Sequence, residues 1–136
     1  MKVLLVSCGD VATEAGLRFQ QAGHRITAWR RNSSKLPAGF DGHSVDLLDA
    51  SQWPSIDPGT EIAVLTPVPA TRDAEGYTRS YLQVAQELVS RLETQCPALR
   101  RLIYISSTAV MGGGNGELVD ESAPLAPATP TAKVLA

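Results

Sequence analysis

Very little in this sequence points to metal, disulfide, nucleic-acid or membrane chemistry. Cysteine occurs only twice, as Cys8 and Cys96, and histidine only twice, as His24 and His43. None of the four falls at metal-ligand spacing, so no metal site is expected. Two isolated cysteines make no disulfide framework, which fits a reducing, cytoplasmic setting. Aromatic residues are 5% of the chain and the formal net charge is −2. With no basic surplus and few aromatics, the composition argues against nucleic acid as a partner. Long apolar runs are missing too. Leu5-Val6-Ser7-Cys8 has the look of a lipoprotein cleavage site, but the run from Val3 to Val6 is too short for a signal-peptide core. No segment approaches membrane-spanning length, so no membrane partner is expected.

What is present suits one soluble domain. The 136 residues are 43% hydrophobic and 19% charged, enough for a proper core. The run Lys2 to Val6 ends at the small-residue turn Ser7-Cys8-Gly9, and an amphipathic segment starts at once. A buried parallel strand hands over to a helix in this way. The first helical N–H groups, at Asp10 and Val11, would point outward with the positive end of the helix dipole and suit a phosphate.

Val11, Ala15, Phe19 and Ala22 form a stripe at helical spacing, and Gly23 is the expected stop. Strands are expected at Arg25–Trp29, His43–Asp46, Glu61–Thr66 and Leu102–Ser106, with a brief helical turn over Asp49–Trp53. Tyr77, Tyr81, Val84, Ala85, Leu88 and Leu92 predict a long helix after the Pro67-Val68-Pro69 break, closed by Pro97. Gly112 to Gly116 reads as a loop, and Thr129 to Ala136 as the opening of a helix that runs out, as though the chain were part of something longer. Alternating strands and helices predict an α/β, doubly wound parallel sheet of the Rossmann type, strand order 3-2-1-4-5. Ligands of such sheets sit beyond the carboxyl ends of the strands where the order reverses, here between the first and fourth strands.

The dinucleotide fingerprint asks for small residues at three positions, which here are Ser7, Gly9 and Ala12. Gly9 keeps the position that lets backbone reach a pyrophosphate. Ser7 is a departure, because serine lacks glycine's freedom at positive φ. After the second strand stand Arg30 and Arg31 with no carboxylate beside them. An acidic residue there would favour NAD, whereas arginine suits a 2′-phosphate, so NADP is the preferred cofactor and NAD the alternative.

Beyond the turn, Val45-Asp46-Leu47-Leu48-Asp49 follows the third strand, and Ile105-Ser106-Ser107-Thr108-Ala109-Val110-Met111-Gly112 covers the fifth. With the turn at Gly9-Asp10 and the stretch Val119 to Pro124, these resemble the first half of an extended or atypical short-chain dehydrogenase/reductase of the NAD-dependent epimerase/dehydratase group. The resemblance implies that residues 1–136 are an NAD(P)-binding domain lacking a substrate-binding half. It implies hydride transfer on a nucleotide sugar or related small-molecule carbonyl or alcohol. Asp46 would bind the adenine amino group with Leu47 against the ring, and Thr66 and Pro67 would line the nicotinamide-ribose side. Ser106 joins the cofactor set. Ser107 would be the catalytic hydroxyl, and Lys133 would hold the ribose.

Three positions depart from the family pattern. The residue four before Lys133 is Thr129, where the family carries its acid–base tyrosine, and an aliphatic hydroxyl is far too weak an acid to replace a phenol. Met111 replaces a tyrosine in the strand-five motif, and the helix from Gly76 to Leu92 lacks the asparagine of classical members. Tyr77 and Tyr81 read as core packing and Cys8 as a small buried turn residue. A second class of function therefore stands beside the enzyme: a non-catalytic NADP-binding sensor or scaffold. A sheet whose last helix is incomplete leaves an apolar face, so a homo-oligomer is a further expectation.

Overall fold

A computed structural model describes residues 1–112 and 115–136; the middle of the glycine loop expected at Gly112–Gly116 lies outside the described residues. Five strands, β1 (Lys2–Val6), β2 (Arg25–Arg30), β3 (Asp41–Ser44), β4 (Thr60–Leu65) and β5 (Arg101–Tyr104), form one parallel sheet in the order β3-β2-β1-β4-β5. This is the Rossmann-like order expected from the sequence. The central strand β1 pairs Val6 with Trp29 of β2 and with Leu65 of β4.

Because successive strand residues face opposite ways, β1 feeds two cores. Val3 and Leu5 join Ala12, Ile26, Ala28, Ile62 and Val64 beneath α1 (Asp10–Gln21). Leu4 and Val6 join Trp29, Trp53, Leu65, Val84, Leu88 and Leu92 beneath α3 (Val84–Gln95). A short helix α2 (Ala74–Tyr77) leads through a π-helical stretch, Thr78–Gln83, into α3. The expected long helix is thus continuous in course but widened in the middle. A final short helix, α4 (Pro130–Leu135), lies against α2 and the turn Thr108–Val110.

One sequence expectation needs correcting. Val11 does not belong to the buried stripe of α1: it is 72% exposed, and Ala12 and Gly16 take the inner face. The helix comes too close for a larger stripe, since a methyl built on Gly16 would lie 2.6 Å from the Phe40 ring and 2.7 Å from Leu5. The fifth strand is exposed along its length: Leu102, Ile103 and Tyr104, with Ile105 just beyond, each show 37–44% of their surface. The Gly23 stop is as expected, with φ +86° and the His24 N–H on the Phe19 carbonyl at 3.0 Å. Among the described residues no helix is long and apolar enough to cross a membrane.

Among the described residues the outer edge of β5 has no strand partner and its apolar side chains are exposed, the features that drive sheet proteins to associate. We expect the chain to self-associate reversibly in sedimentation velocity runs over a concentration series. A single monomeric species at the highest concentration would contradict this. A second expectation concerns Gly76, where a methyl would run into the backbone oxygen and hydroxyl of Thr71 and lie 2.6 Å from the Thr71 nitrogen. Gly76→Ala should therefore destabilise the fold by about 1–3 kcal/mol in urea titrations, although alanine is intrinsically the better helix former by about 1 kcal/mol.

Candidate functional site

The connection between β1 and α1 is only Ser7, Cys8 and Gly9. Ser7 takes φ +64°, and among the described residues it alone enters the left-handed region without being glycine. That conformation costs an L-residue about 1–2 kcal/mol. Strands on both sides hold the turn. From β2, the Trp29 carbonyl accepts the Cys8 N–H at 2.8 Å. From the end of β4, the Thr66 N–H donates to the Val6 carbonyl at 3.2 Å and the Thr66 hydroxyl to the Ser7 carbonyl at 2.6 Å. The Gly9 N–H also reaches the Ser7 carbonyl, at 2.8 Å.

Gly9 is the N-cap of α1 and has φ −84°, which any residue can adopt. Among the described residues nothing lies within 4 Å of where its Cβ would be, so neither backbone nor packing there requires a glycine. The space over it opens into a cleft of about 320 Å³ at the carboxyl ends of the central strands. No side chain caps α1, whereas Asp73 caps α2, Thr129 caps α4, and Asn32, Asp49 and Ser107 cap the three 3₁₀ turns. The first-turn N–H groups, at Asp10 and Val11 among them, are thus left to solvent or to a ligand beside the cleft.

The cleft gathers seven of the residues singled out from the sequence: Ser7, Gly9, Arg30, Arg31, Asp46, Leu47 and Pro67. Arg30 is half-buried and Arg31 exposed, and among the described residues no carboxylate pairs with either. Asp46 uses one carboxylate oxygen to accept the Leu48 N–H at 3.0 Å, an Asx turn that fixes the loop after β3. Leu47 leans on the core beneath α3. Thr66 is not on the cleft wall, since its hydroxyl is turned to the Ser7 carbonyl.

Ser106, Ser107 and Lys133 are all exposed and lie outside the cleft. Ser107 Oγ accepts the Ala109 N–H at 3.2 Å, the hydrogen-bonded strand end that competes with a catalytic reading of this serine. Thr129, where a phenol would stand, accepts the Ala132 N–H at 3.1 Å and starts α4. Tyr77 and Tyr81 stack with ring centroids 5.1 Å apart, and Tyr104 meets Tyr81 edge-on at 6.5 Å. Burial pushes the phenols of Tyr81 and Tyr104 above the usual value, helped by the neighbouring tyrosine in each case. An acid–base phenol working near neutrality needs the opposite shift.

Ser80 lines the cleft and was not among the residues picked from the sequence. It is buried within the π-helical stretch, and its hydroxyl accepts the Ala70 N–H at 2.8 Å, which pins the wall formed by Pro67 to Ala70. A polar residue within the stripe Tyr77, Tyr81, Val84 was the available signal. Cys8 is fully buried. Burial raises its thiol pKa; the Thr13 hydroxyl, 3.5 Å away, and the charge of Arg30 oppose this only in part.

No protein-family model matches this sequence, and no curated protein matches it at a significant level. Solved structures do match. Over 99% of this chain and 48% of its own length, a UDP-galactose 4-epimerase superposes with a TM-score of 0.83 at 13% identity. A Methylobacillus flagellatus protein described as an NAD-dependent epimerase/dehydratase gives 0.73 at 26% identity, over 98% of this chain and 47% of its own. A short-chain dehydrogenase/reductase superfamily protein from Agrobacterium tumefaciens, with bound NAD, gives 0.77 at 16%, over 99% and 42%. The fold is therefore the one these structures share, as the sequence resemblance implied, and the chain spans about half the length of each.

The burial of both thiols yields a direct check. Cys96 is also buried, and its thiol is raised first by that burial and then by the Asp57 charge. At pH 8 the native chain should react negligibly with a thiol-specific chromogenic disulfide, and denaturation should release both groups. Rapid reaction of one thiol in the native chain would show Cys8 to be an activated rather than a packed residue.

Proposed function

We propose that residues 1–136 form an NAD(P)-binding domain and that the cleft takes a dinucleotide, NADP in preference to NAD. The observation that carries this reading is Gly9. It is bare with no steric need to be, it caps an otherwise uncapped helix, and the room a side chain would fill opens on the cleft. A pyrophosphate would lie there against the N-terminal turn of α1. Asp46 and Leu47 would take the adenine, and the unpaired Arg30 and Arg31 the 2′-phosphate. Pro67 would border the nicotinamide ribose, with Thr66 behind it. When bound, the nicotinamide supplies a hydride acceptor or donor.

The domain would serve an epimerase, dehydratase or reductase acting on a nucleotide sugar or a related carbonyl or alcohol. The fold likeness to a UDP-galactose 4-epimerase supports that substrate class. In this reading Ser107 polarises the reacting oxygen and Lys133 holds the ribose. Substrate contacts would come from residues beyond these 136. A second reading, a non-catalytic NADP sensor or scaffold, is favoured by Thr129, which caps α4 where an acid–base phenol would be needed.

Calorimetric titration with NADPH and NADH tests the binding site. NADPH should bind more tightly, and Arg30→Ala or Arg31→Ala should each remove about tenfold of its affinity while barely altering NADH. Gly9→Ala should abolish binding of both without lowering the melting temperature, because its methyl meets only open space. Equal affinities unaffected by the arginine variants would overturn the NADP assignment, and no binding of either cofactor would overturn the site.

A further inference from the structure

Ser7 adopts a backbone conformation that its residue type resists, so something outside the turn must hold it there. The two peptide planes flanking its Cα decide that conformation. Thr66 bonds both of them: its N–H donates to the Val6 carbonyl at 3.2 Å, and its hydroxyl to the Ser7 carbonyl at 2.6 Å. The hydroxyl lies 3.4 Å from the Val6 oxygen, so its single proton belongs to the Ser7 bond. The Gly9 N–H takes the second lone pair of the Ser7 carbonyl, and the Cys8 N–H at the other end of that peptide is tied to Trp29.

We propose that Thr66 is a positioning residue that stands in for the missing first glycine of the fingerprint. Its hydroxyl locks the Ser7–Cys8 peptide, keeps the turn left-handed, and so sets the affinity of the turn for a dinucleotide phosphate. This rests on the dinucleotide reading of the cleft. It departs from the role the family resemblance implies for Thr66, contact with the nicotinamide-ribose side. The side chain faces the turn and is absent from the cleft wall. The position follows from register: Val6 pairs with Leu65, so the next residue of each strand meets where the strand order reverses.

The test is a cycle of four proteins: the chain as it is, Thr66→Val, Ser7→Gly, and both together. Thr66→Val keeps the branched shape and the backbone bond and replaces the hydroxyl with a methyl that cannot donate. Each is titrated with NADPH and melted. With Ser7 present, Thr66→Val should weaken NADPH about tenfold, and Thr66→Ser should restore affinity to within about twofold. In the Ser7→Gly background the loss should shrink to about twofold, because glycine holds the conformation unaided. An equal loss in both backgrounds would mean that the hydroxyl touches the cofactor directly, and no loss would mean that it holds nothing; either overturns the proposal. If the unaltered chain binds no dinucleotide, the cofactor reading fails by itself. The clamp is then judged from melting temperatures, which Thr66→Val must lower more with Ser7 than with Ser7→Gly.

Discussion

The pairing of β1 with β2 on one side and β4 on the other is the contact on which the rest of the molecule depends. A strand hydrogen-bonded along both edges and buried on both faces cannot shift by one residue without exchanging its two cores. Val3 and Leu5 would leave α1, and Leu4 and Val6 would leave α3. The end of β1 is therefore fixed in three dimensions before any ligand is considered. So are the residues at the ends of the neighbouring strands: Arg30 closing β2, Asp46 after β3 and Thr66 after β4. The cleft is built mainly of residues at and just beyond the strand ends, closed on one side by Ser80 and Val84.

Much of that arrangement was legible from residue type alone. Runs of Val, Leu and Ile announced the inner strands, because parallel strands covered on both faces carry no polar alternation. Gly23 announced the end of α1. The misplaced stripe of α1 has a physical cause. Spacing predicts which residues of a helix can share a face, but distance between layers decides which of them do. At α1 the sheet is close enough to admit Ala12 and Gly16 and to exclude Val11. At β5 the apolar residues stay exposed, because burial depends on a covering layer that these residues do not supply. The bonds made by Ser80 and Thr66 were hidden for another reason. Each lies in a hydroxyl reaching a backbone group distant in sequence, and a polar residue in an apolar stripe, the one signal at Ser80, does not name that partner.

The glycines illustrate the same division between what the protein needs and what a ligand would need. Gly16 and Gly76 are required by atoms of this chain, a phenyl ring and Leu5 in one case and the backbone of Thr71 in the other. Gly9 is required by nothing among the described residues. The polar caps divide likewise. Asp73, Thr129 and Ser107 satisfy the helical turns they precede. At α1 the dipole is left unanswered, in the one place where the cleft begins.

The position of β1 in the chain also bears on how the molecule is made. Lys2 must find Arg25 on one side and Thr60 on the other, so the most buried strand is synthesised first and completed late. Closing such distant parallel pairs is slow, because the entropy of the intervening loop is lost before the contacts form. Until β4 arrives, one edge of an apolar ribbon stays open to any neighbouring chain, a ready template for misassembly. Yield from the ribosome should thus be governed less by the stability of the finished sheet than by how long its central strand waits for its last neighbour.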